Sequence, residues 1–148
     1  MKAPVWAGVA ATLLICAGPL TAQVSYEQIL NAADTPENWL TYNGGYSSQR
    51  YSSLTQVTPA NVAELESKWM LQGQVLGAWQ SNPIVADGIM YITQRPNDIM
   101  AVDALTGSVF WQYRHTNDDG TRVCCGANNR GVAILDDRVF MGALDATL

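Results

Sequence analysis

A hairpin pattern that returns after 49 residues constrains the fold of this chain more than any other feature of its sequence. Residues 87–92 form an Asp-Gly turn and an apolar run, and residues 136–141 repeat this pattern with an Asp-Asp turn. Repeats of about 40–50 residues with four short strands each are typical of β-propeller blades. The sequence therefore predicts an all-β propeller, although a sandwich with two similar hairpins would show the same repeat.

The apolar runs and the turns between them place five short strands, at residues 68–71, 83–85, 89–93, 99–102 and 109–113. The first unit ends in the strand that contains Trp111, whereas the second unit stops at Leu148, at or before the equivalent turn. Two blades cannot close a ring, and the open edge would be prone to aggregation. We therefore expect about the first one to two blades of a longer propeller, truncated in this chain.

The N-terminal residues 1–22 are predicted to be a signal peptide. Lys2 precedes an apolar run over residues 5–17, and the residues around Ala22 suit cleavage after that residue. The run is shorter than the roughly 20 residues that span a membrane. We predict a periplasmic protein exported by a cleaved signal, with membrane association through an uncleaved anchor or a lipidated Cys16 as the alternative.

The next part of the chain, residues 23–67, is predicted to be a wrapping segment with short helices. Residues 25–33 have a weak helical period. A second helix is expected to start at Thr58-Pro59, with Thr58 as its N-cap and with Val62 and Leu65 on its buried face. Residues 68–148 then form the truncated blades.

The charge pattern argues against a nucleic-acid partner. The formal net charge is −5, and the Lys and Arg residues are scattered singly along the chain. Binding to nucleic acid normally requires a clustered basic surface. We therefore predict no nucleic-acid partner.

Three motifs follow one another along the mature chain. The first consists of Asn38-Trp39, Tyr51-Ser52 and residues 61–65; the second is residues 101–111; the third is residues 124–131. Together they resemble the quinoprotein alcohol dehydrogenases, eight-bladed β-propellers that use pyrroloquinoline quinone (PQQ). The second motif resembles the repeat in which a Trp, here Trp111, packs on the neighbouring blade.

The resemblance implies a set of cofactor-binding residues. Cys124 and Cys125 match a pair that forms a disulfide against the face of the quinone, and Arg130 matches an Arg that hydrogen-bonds the cofactor. Asn128 stands where the family usually has an apolar cofactor contact. Gln80 stands where the family usually has a cofactor-binding Glu.

The residue types are chemically suited to these roles. Adjacent Cα atoms lie about 3.8 Å apart, closer than in ordinary disulfides, so a bridge between Cys124 and Cys125 would be strained and would close almost no loop. Its use would be as a flat, polarisable surface for a planar ligand. Arg130 could hold a carboxylate of the tricarboxylate PQQ through two hydrogen bonds. The alternatives are two free cysteines that act as small apolar residues, a redox-active dithiol, which usually needs Cys-x-x-Cys spacing, and a metal site, which would need further ligands.

The resemblance also implies an activity for the complete protein. Such an enzyme oxidises an alcohol to an aldehyde or ketone with PQQ and calcium, and passes electrons to cytochrome c or a similar acceptor. The catalytic Asp and the calcium ligands are expected beyond this chain, so we predict no catalytic or metal-binding residues in it and no activity from the chain alone. Asp136, Asp137 and Asp145 are interpreted as turn residues, and His115, the single His, is expected in an exposed polar loop.

Three other functions remain open at this point. A non-catalytic propeller scaffold would share the repeat and the Trp packing, but would have no use for the cysteine pair and Arg130. A quinoprotein that acts on another substrate, such as a sugar, typically lacks adjacent cysteines. Gln80 in place of Glu also permits a pseudo-enzyme.

Overall fold

The structure is a computed structural model that describes residues 22–148. The predicted signal peptide therefore lies outside the described residues except for Ala22. The helical elements are an α-helix, α1 (Tyr26–Leu30), and two 3-10 helices (Ala32–Asp34 and Val62–Glu64). The strands are β1 (Ile84–Ala86), β2 (Ile89–Gln94), β3 (Asp98–Asp103), β4 (Val109–Arg114), β5 (Ala133–Leu135) and β6 (Arg138–Phe140).

The strands form two antiparallel sheets that repeat the same hairpin. Strands β1 to β4 form a four-stranded sheet in chain order, and β5 pairs with β6 in a second sheet. Ile84 pairs with Tyr91 in the first hairpin, and Ala133 pairs with Phe140, each 49 residues later, in the second. The repeat predicted from the sequence is confirmed, with one complete four-stranded blade and part of the next.

The two hairpin turns share an unusual backbone conformation. Asp87 has φ +51° and Asp136 has φ +52°. Asp tolerates this left-handed region better than most residues, and two-residue hairpin turns that match the twist of strands require it. Further on, the N–H of Ala143 donates to the carbonyl of Thr147 at 2.8 Å and closes a turn after β6. The part of the second blade in the structure therefore consists of the β5–β6 hairpin and the turn that follows it.

The main core lies between the two sheets and the N-terminal segment. Its buried residues are Ala22, Val24, Ile29, Leu40, Ile84, Ala86, Tyr91, Ala101 and Ile134. Trp111 packs at its edge with its ring centroid 5.9 Å from that of Tyr91, beside Val139 of the second blade. A second cluster, Ile92, Met100 and Val102, covers the other face of the first sheet. Because both faces are covered, β3 is buried almost throughout.

The N-terminal segment binds the edges of both sheets. Trp39 exchanges backbone hydrogen bonds of 2.7 and 3.0 Å with Val85, and Val24 does the same with Asp136 at 2.9 and 2.7 Å. Between them, α1 begins with a capping box in which Ser25 and Gln28 satisfy each other's backbone N–H groups. No helix within residues 22–148 is long and apolar enough to cross a membrane.

The prediction of a strand at residues 68–71 is wrong, because these residues form no β-ladder with any described strand. Trp69 nevertheless packs against the second cluster, and its indole N–H donates to the carbonyl of Ala104 at 3.1 Å. Its ring lies so close to Gly107 that a Cβ built there would be 2.6 Å from Trp69 Cε3. Apolar packing made this segment resemble a strand, but a strand also needs a backbone partner.

The predicted helix at Thr58 is also only partly correct. The structure has a 3-10 helix at Val62–Glu64, and the Thr58 N–H donates to Asn61 Oδ1 at 2.7 Å instead of Thr58 capping the helix. Val62 is 50% exposed and Leu65 is 64% exposed, so the predicted buried face is wrong. Three residues of 3-10 helix are too short to carry an apolar stripe, and residues 22–148 leave at least half of each side chain exposed.

Candidate functional site

The two cysteines lie in the irregular segment that joins β4 to β5. Both are exposed free thiols, and the Cys125 thiol hydrogen-bonds Cys124 with 2.9 Å between the two sulfur atoms. Cys125 has φ +65° and Gly126 has φ +91°, so the chain turns sharply at this point. The structure thus brings the two sulfurs together as thiols, and their disulfide stays a prediction.

Arg130 and Gln80 are brought together from positions 50 residues apart in the sequence. The Nε–H of Arg130 donates to Gln80 Oε1 at 3.2 Å. The backbone holds the two segments in register, because the Asn82 N–H donates to the carbonyl of Arg130 at 3.0 Å. Gly131 permits this approach, since a Cβ at its position would lie 3.0 Å from the carbonyl oxygen of Asn82.

All five predicted cofactor-binding residues line a single shallow depression of about 290 Å³, which we call the cysteine depression. Its lining consists of Gln80, Val123, Cys124, Cys125, Gly126, Asn128, Arg130 and Leu144. Sequence reasoning missed Val123 and Leu144. Leu144 follows β6 and is held by its N–H, which donates to Asn97 Oδ1 at 3.0 Å, and no local sequence signal indicates that contact.

Asn128 contributes an acceptor that has no partner among the described residues. Its Oδ1 is buried and makes no hydrogen bond within residues 22–148. Its backbone N–H donates to the carbonyl of Gly126 at 3.0 Å, and a Cβ at Gly126 would lie 3.0 Å from Asn128 Nδ2. A buried polar atom without a partner is costly, so this oxygen is suited to accept a hydrogen bond from a ligand.

The electrostatics of the cysteine depression are dominated by one cation. Among its lining residues Arg130 carries the only ionised side chain at neutral pH, and no lining carboxylate balances it. The hydrogen bond to Cys124 raises the pKa of the Cys125 thiol, and burial adds to this effect. The positive charge of Arg130 lowers that pKa but does not outweigh the other two effects. The depression therefore offers a cation, a buried acceptor and a pair of soft sulfur atoms.

A polar network fixes the segment that carries the cysteines. His115 lies at the start of this segment, and its Nε2 is 2.7 Å from Asp145 Oδ2. The side chain of His115 is only 20% exposed, so its assignment to an exposed loop is wrong. Asp145 is more than a turn residue, because it also accepts from the N–H groups of Asp118 at 3.2 Å and Thr147 at 3.2 Å.

Two buried asparagines continue this network between the blades. Asn97, at the β2–β3 turn, hydrogen-bonds Asn117, and its Oδ1 also accepts from Asn129 Nδ2 at 3.4 Å. Asn129 Nδ2 reaches the carbonyl of Gly142 at 3.0 Å. Because Asn129 precedes Arg130, these bonds place Arg130 relative to both blades.

No group of three or more His, Cys, Asp or Glu side chains within residues 22–148 could hold a metal ion. The cysteine depression is also without a carboxylate. A larger depression of about 360 Å³ lies in the N-terminal segment around Trp39 and Tyr46, far along the chain from the cysteines. None of the five predicted cofactor-binding residues lines it.

Comparison with known proteins identifies the family. The family model described as PQQ: glucose/ethanol/alcohol dehydrogenase, beta-propeller domain, matches residues 39–148. The chain belongs to this PQQ β-propeller family. The resemblance found in the sequence is therefore confirmed, and so is the partial propeller fold.

Relatives of this PQQ family chain include quinoprotein alcohol dehydrogenase PedH of Pseudomonas putida. It is 39% identical over 137 residues, which cover 91% of this chain and 23% of PedH. The solved structure of quinohemoprotein alcohol dehydrogenase ADHIIG from Pseudomonas putida matches with a TM-score of 0.77 and 34% identity, over 86% of this chain and 19% of that one. A europium-containing methanol dehydrogenase matches with a TM-score of 0.72 and 27% identity, over 79% and 21% of the two chains.

These coverages show that the chain spans about a fifth of the length of the relatives it matches. PedH and ADHIIG are named as a quinoprotein and a quinohemoprotein alcohol dehydrogenase, and the region matched by the family model contains the cysteine depression.

Proposed function

We propose that this chain is the N-terminal part of an exported PQQ-dependent dehydrogenase that oxidises an alcohol to an aldehyde or ketone. The observation that supports this most directly is the cysteine depression. Gln80, Cys124, Cys125, Asn128 and Arg130 line it together, although they come from two separate segments of the chain. The names of relatives such as PedH support the alcohol as the substrate class.

The residues of the cysteine depression fit a planar, anionic ligand. The guanidinium of Arg130 would hold a carboxylate of PQQ, because planar Arg and carboxylate groups form paired, charge-assisted hydrogen bonds. Asn128 Oδ1 would accept a hydrogen bond from a ligand N–H group, since this oxygen accepts no hydrogen bond within the described residues. When bound, PQQ would supply the redox chemistry by accepting two electrons from the alcohol.

Cys124 and Cys125 would present their sulfur atoms as one wall of the quinone site. We propose that they form a disulfide after export, because oxidants of the periplasm keep paired cysteines bridged. A bridge between adjacent residues is rigid, so it would offer the ligand a fixed surface. Cytochrome c or a similar protein is the proposed electron acceptor.

The residues of the cysteine depression supply neither ligands for the calcium ion nor the general base of the proposed reaction. The cysteine depression has no carboxylate, and residues 22–148 contain no cluster of metal ligands. We propose that the ligands of calcium or of another ion, and the catalytic Asp, belong to later parts of the complete protein. The 148-residue chain alone should then fail to reduce a dye when PQQ, calcium and an alcohol are supplied.

Binding of PQQ by the complete protein tests the assignment of the site. Arg130→Ala should raise the Kd for PQQ about 10- to 150-fold, because a hydrogen bond to a charged group contributes about 1.5–3 kcal/mol. The Kd is measured on purified apoprotein by quenching of tryptophan fluorescence during titration with PQQ.

Arg122→Ala is the matched control for this experiment. Arg122 is an exposed arginine of the same segment, but it does not line the cysteine depression. Its removal should leave the Kd within about twofold of the wild-type value. Equal losses in the two variants would mean that the depression is not the quinone site.

A further inference from the structure

The buried polar side chains of the described residues are concentrated around the turn between β2 and β3. Within residues 22–148 the buried polar or charged residues are Thr93, Gln94, Asn97, Asp98 and Asn129. The first four lie at the end of β2, in the turn or at the start of β3, and Asn129 hydrogen-bonds Asn97. Burial of polar groups is costly even when they are hydrogen-bonded, and apolar residues could fill the same space without this cost. The cluster therefore indicates that its hydrogen bonds, and not packing alone, are needed at this place.

Asn97 binds both ends of the segment between β4 and β5, residues 115–132, which we call the cysteine segment. At the start of the segment, the side-chain amide of Asn97 donates to Asn117 Oδ1, and the Asn97 carbonyl accepts from the His115 N–H at 3.3 Å. Near its end, Asn129 Nδ2 donates to Asn97 Oδ1 at 3.4 Å. A single fully buried residue therefore holds both ends of the loop that carries the two cysteines.

The same side chain also holds a second part of the cysteine depression. Asn97 Oδ1 accepts from the Leu144 N–H at 3.0 Å, and Leu144 lines the depression together with residues of the cysteine segment. Asn can make all these bonds because its amide oxygen has two lone pairs and its NH2 group donates in another direction. Asn97 itself does not line the depression, so it determines how two of the lining segments lie without being part of the lining.

Thr93 connects the third lining segment to the same end of β2. The Thr93 N–H donates to Ser81 Oγ at 2.9 Å, and Thr93 Oγ1 donates to the carbonyl of Asn129 at 3.4 Å. Ser81 follows Gln80 in the chain. All three segments that line the cysteine depression are therefore tied to the end of β2 or to the turn that follows it.

We propose that Asn97 is a positioning residue of the quinone site, which fixes the cysteine segment and Leu144 relative to each other without contacting the ligand. This inference rests on the proposed function. A site whose walls must be ordered when the ligand binds loses affinity, whereas a site that is already ordered does not. Asn97 therefore contributes to PQQ affinity by holding the cysteine depression in its binding shape before the ligand arrives.

Asn97→Ala in the complete apoprotein tests this role. The change removes the side-chain hydrogen bonds to Asn117, Asn129 and Leu144. The Kd for PQQ should rise about 5- to 30-fold, and amide hydrogens of the cysteine segment should exchange faster with heavy water. The induced circular dichroism of bound PQQ at saturation should also change, because a planar, achiral ligand takes this signal from the asymmetric arrangement of the groups around it.

Gln94→Ala is the matched control. Gln94 is also buried and polar and lies three residues before Asn97, but its side chain donates to Asp98 Oδ2 at 2.8 Å. It makes no hydrogen bond to the cysteine segment or to Leu144 within residues 22–148. Q94A should lower the free energy of unfolding, but leave the Kd for PQQ within about twofold of the wild-type value and its circular dichroism unchanged.

Asn117→Ala is a milder variant that tests the same role if N97A does not fold. Asn117 is half-buried, and the side-chain hydrogen bond that it makes within residues 22–148 is the one to Asn97. N117A releases the start of the cysteine segment and leaves the bonds to Asn129 and Leu144 in place. The Kd for PQQ should therefore rise about two- to fivefold.

The decisive comparison is between the Asn97 variant, or the Asn117 variant if N97A does not fold, and Q94A. A higher Kd together with a changed circular dichroism of bound PQQ, with Q94A like the wild type, supports the inference. An unchanged Kd, an unchanged circular dichroism, or an equal rise in Q94A would show that Asn97 acts only through stability, and would overturn the inference while the proposed function stands. A wild-type protein that binds no PQQ overturns both.

Discussion

At the scale of single residues, the backbone conformation at Cys125 brings the sulfur atoms of Cys124 and Cys125 close together. Cys125 adopts a left-handed φ of +65°, which few residues other than Gly, Asn and Asp tolerate. This conformation, followed by Gly126, leaves the sulfur atoms 2.9 Å apart and exposed. Exposed neighbouring thiols are readily oxidised where an oxidant is present.

Export and disulfide formation are therefore tested together on the mature protein. The peptide that contains Cys124 and Cys125, isolated under non-reducing conditions from native cells, should be about 2 Da lighter than the dithiol. Reduction should restore the mass of the dithiol and allow both sulfurs to be alkylated. Two thiols that alkylate without reduction would contradict both the disulfide and the oxidising location.

The Cys124→Ala variant is the control for this experiment. It leaves one cysteine without a neighbour, so Cys125 should be alkylated before reduction.

At the scale of secondary-structure elements, the turn between β3 and β4 is a docking point for the segment before the first blade. Trp69 lies over Gly107 and donates its indole N–H to Ala104. Asp103 stabilises the same turn by accepting from the N–H of Leu105 at 2.8 Å. The hydrogen bonds that Asp103 accepts from Leu105 and Thr106 lower the pKa of its carboxyl below the ordinary value.

Gly107→Ala should destabilise the protein through two effects. The residue has φ +75°, and a Cβ there would be 2.6 Å from Trp69 Cε3. The left-handed backbone contributes a loss of about 1–2 kcal/mol, and displacement of the ring adds about 1–3 kcal/mol. Urea unfolding of the complete protein measures the change in the free energy of unfolding.

Gly88→Ala separates these two effects. Gly88 has φ +76°, nearly the same as Gly107, but nothing lies within 4 Å of the position that a Cβ would take there. It should show only the backbone loss of about 1–2 kcal/mol. If both variants lost the same stability, the contact between Trp69 and Gly107 would contribute nothing.

At the scale of the whole molecule, the His115–Asp145 pair joins the end of the first blade to the turn that follows β6. The hydrogen bond from His115 holds the pKa of the Asp145 carboxyl far below its usual range, and the N–H groups of Thr147 and Asp118 act in the same direction. Since the folded pKa is below the unfolded value of about 3.9, this stability is fully present above about pH 4. It is lost as the pH falls from about 4 towards the folded pKa.

Asp145→Asn should therefore lower the free energy of unfolding at neutral pH and flatten its decline below about pH 4. The measurement is urea unfolding at several pH values between about 3 and 7. Asp137→Asn serves as the control, because Asp137 is an exposed turn residue whose side chain makes no hydrogen bond within residues 22–148. A D145N profile parallel to that of the wild type would show that the pair does not link the blades energetically.

The sequence by itself determined the features that depend on near neighbours. The alternation of apolar residues and the turns at Asp87 and Asp136 predicted both hairpins, which the structure contains. The adjacent cysteines, Arg130 and their spacing indicated the family, and the resemblance named five of the eight residues that line the cysteine depression. Such signals lie within a few residues of each other, so they can be read without knowing where the chain folds back.

Only the tertiary structure decided the contacts between distant segments. Residues 68–71 were predicted as a strand from their apolar pattern alone. A strand also needs a second strand to pair with, and a local sequence pattern does not show whether one lies beside it. Val62 and Leu65 are apolar yet exposed, because burial depends on what packs above them. The pairing of Gln80 with Arg130 and of His115 with Asp145 arises where separate segments meet, and long-range contacts of this kind leave no periodic signal in the sequence.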